Sequence, residues 1–216
     1  MFTSMKHLNF YNRKYHVHTG LALMFLFFLC YIIPNQIDWM TATLVPEVYI
    51  DRIIPFHPWW IWIYTFTYFY VAFTYLFLLN HSNSKLFVNS FVLICLMGSV
   101  IFFFYPTTIV RELYPINPQH DLSSSLLYHI RIIDKPKNCV PSFHIAMTFS
   151  TSASLYLQGK NRKVLAVILG LLISYSTMAV KQHYFLDVFT GLMLGALIFY
   201  AVFFIDKYFT SASISS

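Results

Sequence analysis

Apolar residues run almost unbroken through five stretches of the chain, Val17 to Ile33, Ile61 to Leu79, Leu86 to Tyr105, Val164 to Val180 and Phe185 to Ile205. A helix needs about 20 such residues to cross a bilayer, so each reads as a membrane span or close to one. A sixth stretch, starting at Pro141 or Ser142 and running to Leu157, mixes apolar residues with Thr148, Ser150, Thr151, Ser152 and Ser154. Hydroxyls suit a protein interior better than lipid, so this helix is expected inside the bundle. The breaks "NHSNSK" and "QGKNRK" read as short turns, and Asp121 to Ile133, in the long loop before Pro141, as a candidate lid helix. Lys6, Arg13 and Lys14 ahead of the first run could belong to a signal peptide. That run ends at "IIPNQ", without a small-x-small cleavage site, so it reads as retained. The pattern predicts an all-α integral membrane protein: one domain over residues 1–216, six transmembrane helices and no internal repeat.

Composition agrees. Hydrophobic residues make up 58% of the chain, aromatics 20% and charged residues 10%, where a soluble domain carries about 25% charged. The net charge of +6 comes with no basic stripe and interleaved aromatics, which points to anionic lipid and membrane orientation, with no nucleic-acid partner. Lys6, Arg13, Lys14, Lys85, Lys160, Arg162, Lys163 and Lys207 fall on one side in short segments. Arg52, Arg111, Arg131, Lys135, Lys137 and Lys181 are spread over longer loops on the other. The denser side holds both termini and reads as cytoplasmic, and Trp39, Trp59, Trp60 and Trp62 form an interfacial belt opposite it. Cys30, Cys95 and Cys139 are odd in number and widely spaced, which supports neither a disulfide framework nor a zinc site.

Candidate chemistry gathers at the extracytoplasmic ends. His183 and Asp187, four apart at a helix start, share a face, and a carboxylate on one ring nitrogen leaves the other free as nucleophile or base. The competing reading is a polar pair that only ties helices together. An acid within a span costs about 2.5–3.5 kcal/mol to insert, which favours function. His144 follows Pro141, which is expected in the first turn, where its missing N–H costs nothing. The amides of Ser142, Phe143 and His144 would then face outward as an anion cradle. An ordinary interfacial histidine behind a proline cap is the alternative. Arg111 is either a snorkelling cation, with Glu112 beside it, or the clamp on a phosphate held by the other two segments. Lys181 could add a second positive charge, and Arg131, Lys135 and Lys137 lid or headgroup contacts. A metal held by His144, His183 and Asp187 is chemically permitted but has no further carboxylate cluster behind it. "GLMLG", Gly191 to Gly195, reads as a close-packing helix face.

The order Arg111, Pro141-Ser142-x-His144, His183-x-x-x-Asp187 resembles the type-2 phosphatidic acid phosphatase superfamily. "PSFH" and "HYFLD", with "IPFHPWWIWIY" and "YPT", are closer to its branch of inositol phosphorylceramide synthases and related bacterial membrane proteins. The resemblance covers roughly 51–195. It implies that His183 attacks phosphorus and becomes a phosphohistidine, oriented by Asp187. His144 would protonate the leaving lipid oxygen and then act as base, while Arg111, Ser142 and the neighbouring amides, Phe143 included, hold the equatorial oxygens. No metal or other cofactor is implied. The sequence departs from the family at Phe104 and Glu112, where a lysine and a proline are usual, and at Ser176-Thr177, where Ser-Arg is usual. The expected activity is a lipid phosphatase acting on a phosphorylated lipid, in a bacterial inner membrane with the site facing the periplasm. The alternatives are a lipid phosphotransferase and a non-catalytic transporter or structural bundle.

Overall fold

The first apolar run is helical from His16 to Gln36 in a computed structural model that describes residues 16–79, 81 and 83–214, beyond 209 in backbone only. It consists of α1 (His16–Phe27), a π turn (Phe28–Ile32) and α2 (Ile33–Gln36). Pro34 has no N–H to offer the carbonyl four residues back, and just before it the ladder slips to an Ile33 N–H bond onto the Phe28 carbonyl. Next come α3 (Tyr49–Ile53), a 3-10 turn (Pro58–Trp60), α4 (Ile61–Leu78), α5 (Ser84–Phe104), α6 (Leu122–Ile133), α7 (Phe143–Tyr156), α8 (Lys160–Ala179) and α9 (Phe185–Ile214).

The turns are tighter than the sequence suggests. Ser84 and Lys85 of "NHSNSK" already belong to α5, while Asn80 and Ser82 lie outside the described residues. Lys160, Arg162 and Lys163 form the first turn of α8, so only Leu157 to Gly159 connect it to α7, with Gly159 at φ +122°. That left-handed backbone suits a residue without a Cβ. The last helix runs past the expected Ile205 to Ile214.

Among the described residues, five helices are long and apolar enough to cross a membrane: His16–Gln36, Pro58–Leu78, Ser84–Phe104, Lys160–Ala179 and Phe185–Phe209. Their outer faces expose Phe69, Phe73, Leu171, Leu197 and Phe204, which would be unstable in water and is expected against acyl chains. α7 has 14 residues, about 21 Å at 1.5 Å per residue. It packs against α4, α5, α8 and α9. Its Thr148, Ser150, Thr151 and Ser154 are all buried, which accounts for its hydroxyl-rich composition.

Close approach of α9 to α7 depends on two glycines one turn apart. A Cβ on Gly191 would sit 2.5 Å from the Ser142 carbonyl oxygen, and one on Gly195 would sit 2.7 Å from that of Ala146. Both obstacles are backbone, so no side chain can swing aside. Gly191→Ala is therefore expected to cost about 1–3 kcal/mol through overpacking. It should lower the thermal unfolding temperature in detergent and displace the start of α7 with it. A short parallel pair, β1 (Thr43–Leu44) with β2 (Thr107–Thr108), ties the loop after α2 to the loop after α5. The Thr107 hydroxyl accepts the Val140 N–H at 2.8 Å, which anchors the segment leading into α7.

Candidate active site

The N-terminal end of α7 is capped by Ser142, whose Oγ accepts the Ile145 N–H at 3.4 Å. Pro141 stands before the cap and not in the first turn, a correction to the sequence reading. The amide of Ser142 is also not free, because it donates to the Asp187 carbonyl at 3.1 Å and stitches the starts of α7 and α9 together. Phe143 and His144, within the first turn, have no carbonyl of their own helix to bond. The Ser142 hydroxyl hydrogen remains available as a donor, since capping uses only an oxygen lone pair.

α8 ends in a tight reversal. The Thr177 carbonyl accepts the amides of both Gln182 and His183, at 3.0 and 3.2 Å, and Lys181 takes a positive φ of 52°. The turn presents His183 directly to α7. His183 Nε2 lies 3.4 Å from His144 Nδ1, and the ring centroids are 5.5 Å apart. On the other side of the ring, His183 Nδ1 is 3.2 Å from Asp187 Oδ2. The same carboxylate oxygen accepts the Tyr184 N–H at 3.0 Å, so it is held from two directions. Both histidines are 4% exposed and Asp187 is fully buried. A carboxylate on Nδ1 keeps the hydrogen there and leaves the Nε2 lone pair directed at His144.

Arg111 follows β2 and is buried, with Nη1 donating to the Asp134 carbonyl at 2.5 Å and Nη2 to the Gln182 carbonyl at 3.5 Å. The second bond sets the guanidinium beside the residue preceding His183. Its Nε has no partner among the described residues, while Glu112 is exposed. The three expected elements, Arg111, the Ser142–His144 start and the His183–Asp187 turn, thus converge at one end of the bundle.

Lys181 is the expected ligand that the structure does not bring onto the imidazoles. Its ammonium donates to the Asp51 carbonyl and, at 2.8 Å, to the Ile54 carbonyl, and lies 4.9 Å from the centre of the Tyr114 ring. Burial lowers its pKa, opposed by Asp51 and Glu47. Asp51 in turn accepts the Phe185 N–H at 2.7 Å, so lysine and aspartate together fasten α3 to the α8–α9 turn. The loop cations are also committed. Arg131 donates to the carbonyls of Tyr114 and Val180 at 2.8 and 2.9 Å, and burial, with Arg111 nearby, pulls its pKa down to about 10. Lys137 pairs with Asp38, and Lys135 reaches the Gln36 carbonyl at 3.4 Å. The helix expected as a lid, α6, is capped by Asp121 and packs on α4 and the 3-10 turn.

Sequence reasoning missed a second set of side chains. The Tyr68 hydroxyl is 3.0 Å from His144 Nε2, and the Tyr64 ring lies against the His144 ring with centroids 4.6 Å apart. Asp134 accepts the hydroxyls of Tyr31, at 2.8 Å, and Tyr64, at 3.2 Å, and Asn35 reaches it at 3.4 Å. The spacing of four between Tyr64 and Tyr68 was the available signal, hidden by the aromatic residues around it. Among the described residues no group of three His, Cys, Asp or Glu is arranged to hold a metal ion.

A family model described as the PAP2 superfamily matches residues 50–201, a segment that holds Arg111, His144, His183 and Asp187. No match was found among curated proteins or among solved structures.

Proposed function

The chain belongs to the PAP2 superfamily, a membership that supports a lipid enzyme of the phosphatase or phosphotransferase type, and from it we propose a lipid phosphatase working through a histidine nucleophile. The observation that carries this reading is the double engagement of His183, with Asp187 on Nδ1 and His144 facing Nε2. In the first step the Nε2 lone pair forms a bond to phosphorus while the ester P–O bond breaks. The His144 Nδ1 proton passes to the departing lipid oxygen. In the second step water gives a proton back to His144 Nδ1, its oxygen bonds phosphorus and the P–N bond breaks. The Arg111 guanidinium, the Ser142 hydroxyl and the Phe143 amide stabilise the equatorial oxygens, where charge builds up. No step needs a metal. A phosphoryl group entering between nitrogens 3.4 Å apart must part the two rings.

We assign α7 as a sixth crossing, short because it is enclosed by protein, and the site to the extracytoplasmic face of a bacterial inner membrane. The cation distribution supports that orientation, although Lys6, Arg13 and Lys14 lie outside the described residues. A single domain, with membrane lipid as partner, accommodates all of these features.

Transfer to an alcohol is the second reading, and one observation favours it. Phe104 and Thr177 stand where the family has cations, and the Lys181 ammonium is bound to backbone carbonyls, which leaves Arg111 as the cation beside the imidazoles. A site of low positive charge suits a phosphodiester, with one negative charge, better than a monoester approaching two. The deciding experiment incubates purified protein with phospholipid labelled in the phosphate. Free phosphate marks a hydrolase and a labelled lipid conjugate marks a transferase. Unchanged substrate in both assays overturns the enzymatic reading.

A further inference from the structure

His144 is engaged at both ring nitrogens, by His183 on one side and Tyr68 on the other. We propose that Tyr68 is a positioning residue: its hydroxyl sets the tautomer of His144 and supplies, at Nε2, the hydrogen that replaces the one His144 gives away at Nδ1.

Three contacts lie in a row. His183 Nδ1 is 3.2 Å from Asp187 Oδ2, His183 Nε2 is 3.4 Å from His144 Nδ1, and His144 Nε2 is 3.0 Å from the Tyr68 hydroxyl. An ionised carboxylate only accepts, so His183 carries its hydrogen on Nδ1, and the Nε2 of a neutral His183 is a lone pair. Two lone pairs facing each other would repel, so the hydrogen between the rings belongs to His144 Nδ1. A neutral imidazole has one N–H, which makes His144 Nε2 an acceptor and the Tyr68 O–H its donor. The His144 ring has little freedom to depart from this order. Tyr68 meets it at 76° with centroids 5.6 Å apart, Tyr64 lies at 4.6 Å, and Tyr31 stands edge-on at 6.1 Å.

Proton transfer depends on that order. A neutral imidazole that loses its Nδ1–H alone becomes an imidazolate, a far stronger base than a phenolate. The cost is avoided when the Tyr68 hydrogen moves to Nε2 as the Nδ1 hydrogen moves to the departing lipid oxygen. After the first step His144 holds its hydrogen on Nε2, Nδ1 is a free lone pair and Tyr68 is a phenolate. In the second step Nδ1 takes a proton from the attacking water and Nε2 returns its hydrogen to Tyr68. The ring thus reverses tautomer between its acid and its base roles, and the cycle ends with every hydrogen where it began.

This role rests on the proposed acid chemistry of His144, and two measurements separate the two. The first needs no turnover. Nitrogen-15 spectra of ring-labelled histidine in detergent, with the His144 signals identified by their loss in His144→Asn, should show a hydrogen on Nδ1 and a lone pair on Nε2. Tyr68→Phe should abolish that preference. A hydrogen on Nε2 in the resting wild-type protein overturns the proposal. The second measurement compares a long-chain alkyl phosphate, whose alkoxide must be protonated to leave, with p-nitrophenyl phosphate, whose leaving group needs no proton. Release of alcohol or nitrophenol is followed in the first turnover. Tyr68 is exposed on α4, so Tyr68→Phe removes a hydroxyl and little packing; thermal unfolding is the folding control. The variant is expected to slow the alkyl phosphate by about tenfold or more, the scale of partial loss of general acid catalysis. The nitrophenyl ester should change less than about threefold, with KM for both close to wild type. Fluorotyrosine in place of Tyr68, a more acidic donor, should speed the alkyl phosphate by about twofold or more. A hydroxyl that only accepted from His144 would give the opposite sign. Equal losses on both substrates, no loss on either, or slowing by fluorotyrosine overturns the proposal and leaves the acid role of His144 standing. A wild-type protein that turns over neither substrate refutes the enzymatic reading and the role of Tyr68 with it.

Discussion

His183→Ala is expected to lower turnover on the order of 10⁴- to 10⁶-fold, the scale of removing a nucleophile that acts as part of a unit. The reason is geometric. His183 Nε2 faces His144 Nδ1 at 3.4 Å, where a phosphoryl group parting the rings would meet its lone pair, while Nδ1 is engaged by Asp187. Among the described residues His120 also meets a carboxylate, Asp121, but that pair is exposed, whereas His183 and Asp187 are buried beside His144. Rapid acid-free quenching after incubation with a phosphate-labelled substrate should trap label on the wild-type chain as a phosphoramidate. His183→Ala should trap none. His144→Ala gives a different result: with a nitrophenyl leaving group the label forms and then persists, because attack by water lacks its base. The alanine variant is not expected to unfold, since His183 contributes little to the hydrophobic clusters that hold α7, α5 and α9 together. Label appearing on His183→Ala in wild-type amounts overturns the assignment of the nucleophile.

Much of the framework was legible in the sequence because hydrophobic runs and helix ends are local signals. Asp121 caps α6 through the Ser124 N–H at 2.7 Å, and Leu122–Ile133 follows as expected from the pattern. The hydrogen bond suggested by His183-x-x-x-Asp187 is present, although His183 lies in the turn before α9 and not on the helix face. Gly191 and Gly195 sit where their spacing suggested, against the α7 backbone. What was not legible depends on partners remote in the chain. The Lys181 ammonium could have faced a phosphate. It turns to carbonyls about 130 residues earlier because a buried charge needs fixed dipoles, and α3 supplies them. The Ser142 amide could have cradled an anion, and it is taken by the Asp187 carbonyl. Tyr31, Tyr64 and Tyr68 are indistinguishable in sequence from the aromatic residues facing lipid, such as Phe69 and Phe73. Only the packing of the π turn and α4 around His144 separates them.

In the proposed mechanism Asp187 would serve two separable functions, orientation and charge, and two substitutions resolve them. Asp187→Ala removes both and is expected to cost on the order of 10³- to 10⁴-fold in kcat, as loss of an orienting carboxylate does when the histidine can take the wrong tautomer. Asp187→Asn should cost less, on the order of 10²-fold, with the scale set by loss of one electrostatic stabiliser. The difference follows from the second donor. Oδ2 accepts both the His183 Nδ1–H and the Tyr184 N–H, whereas Oδ1 has no partner among the described residues. The backbone amide of Tyr184 cannot turn away, so an asparagine is forced to put its carbonyl oxygen at the Oδ2 position and its NH₂ at the unpartnered one. The oxygen still accepts from Nδ1 and the tautomer is preserved. What is lost is the negative charge that stabilises the imidazolium formed when Nε2 bonds phosphorus. The Ser142 amide bonds the Asp187 backbone, so neither variant loses the stitch between α7 and α9. Steady-state kcat and KM for both variants on one lipid substrate provide the check. Equal losses for Ala and Asn would mean that Asp187 acts through its charge alone and that the Tyr184 amide does not control the tautomer.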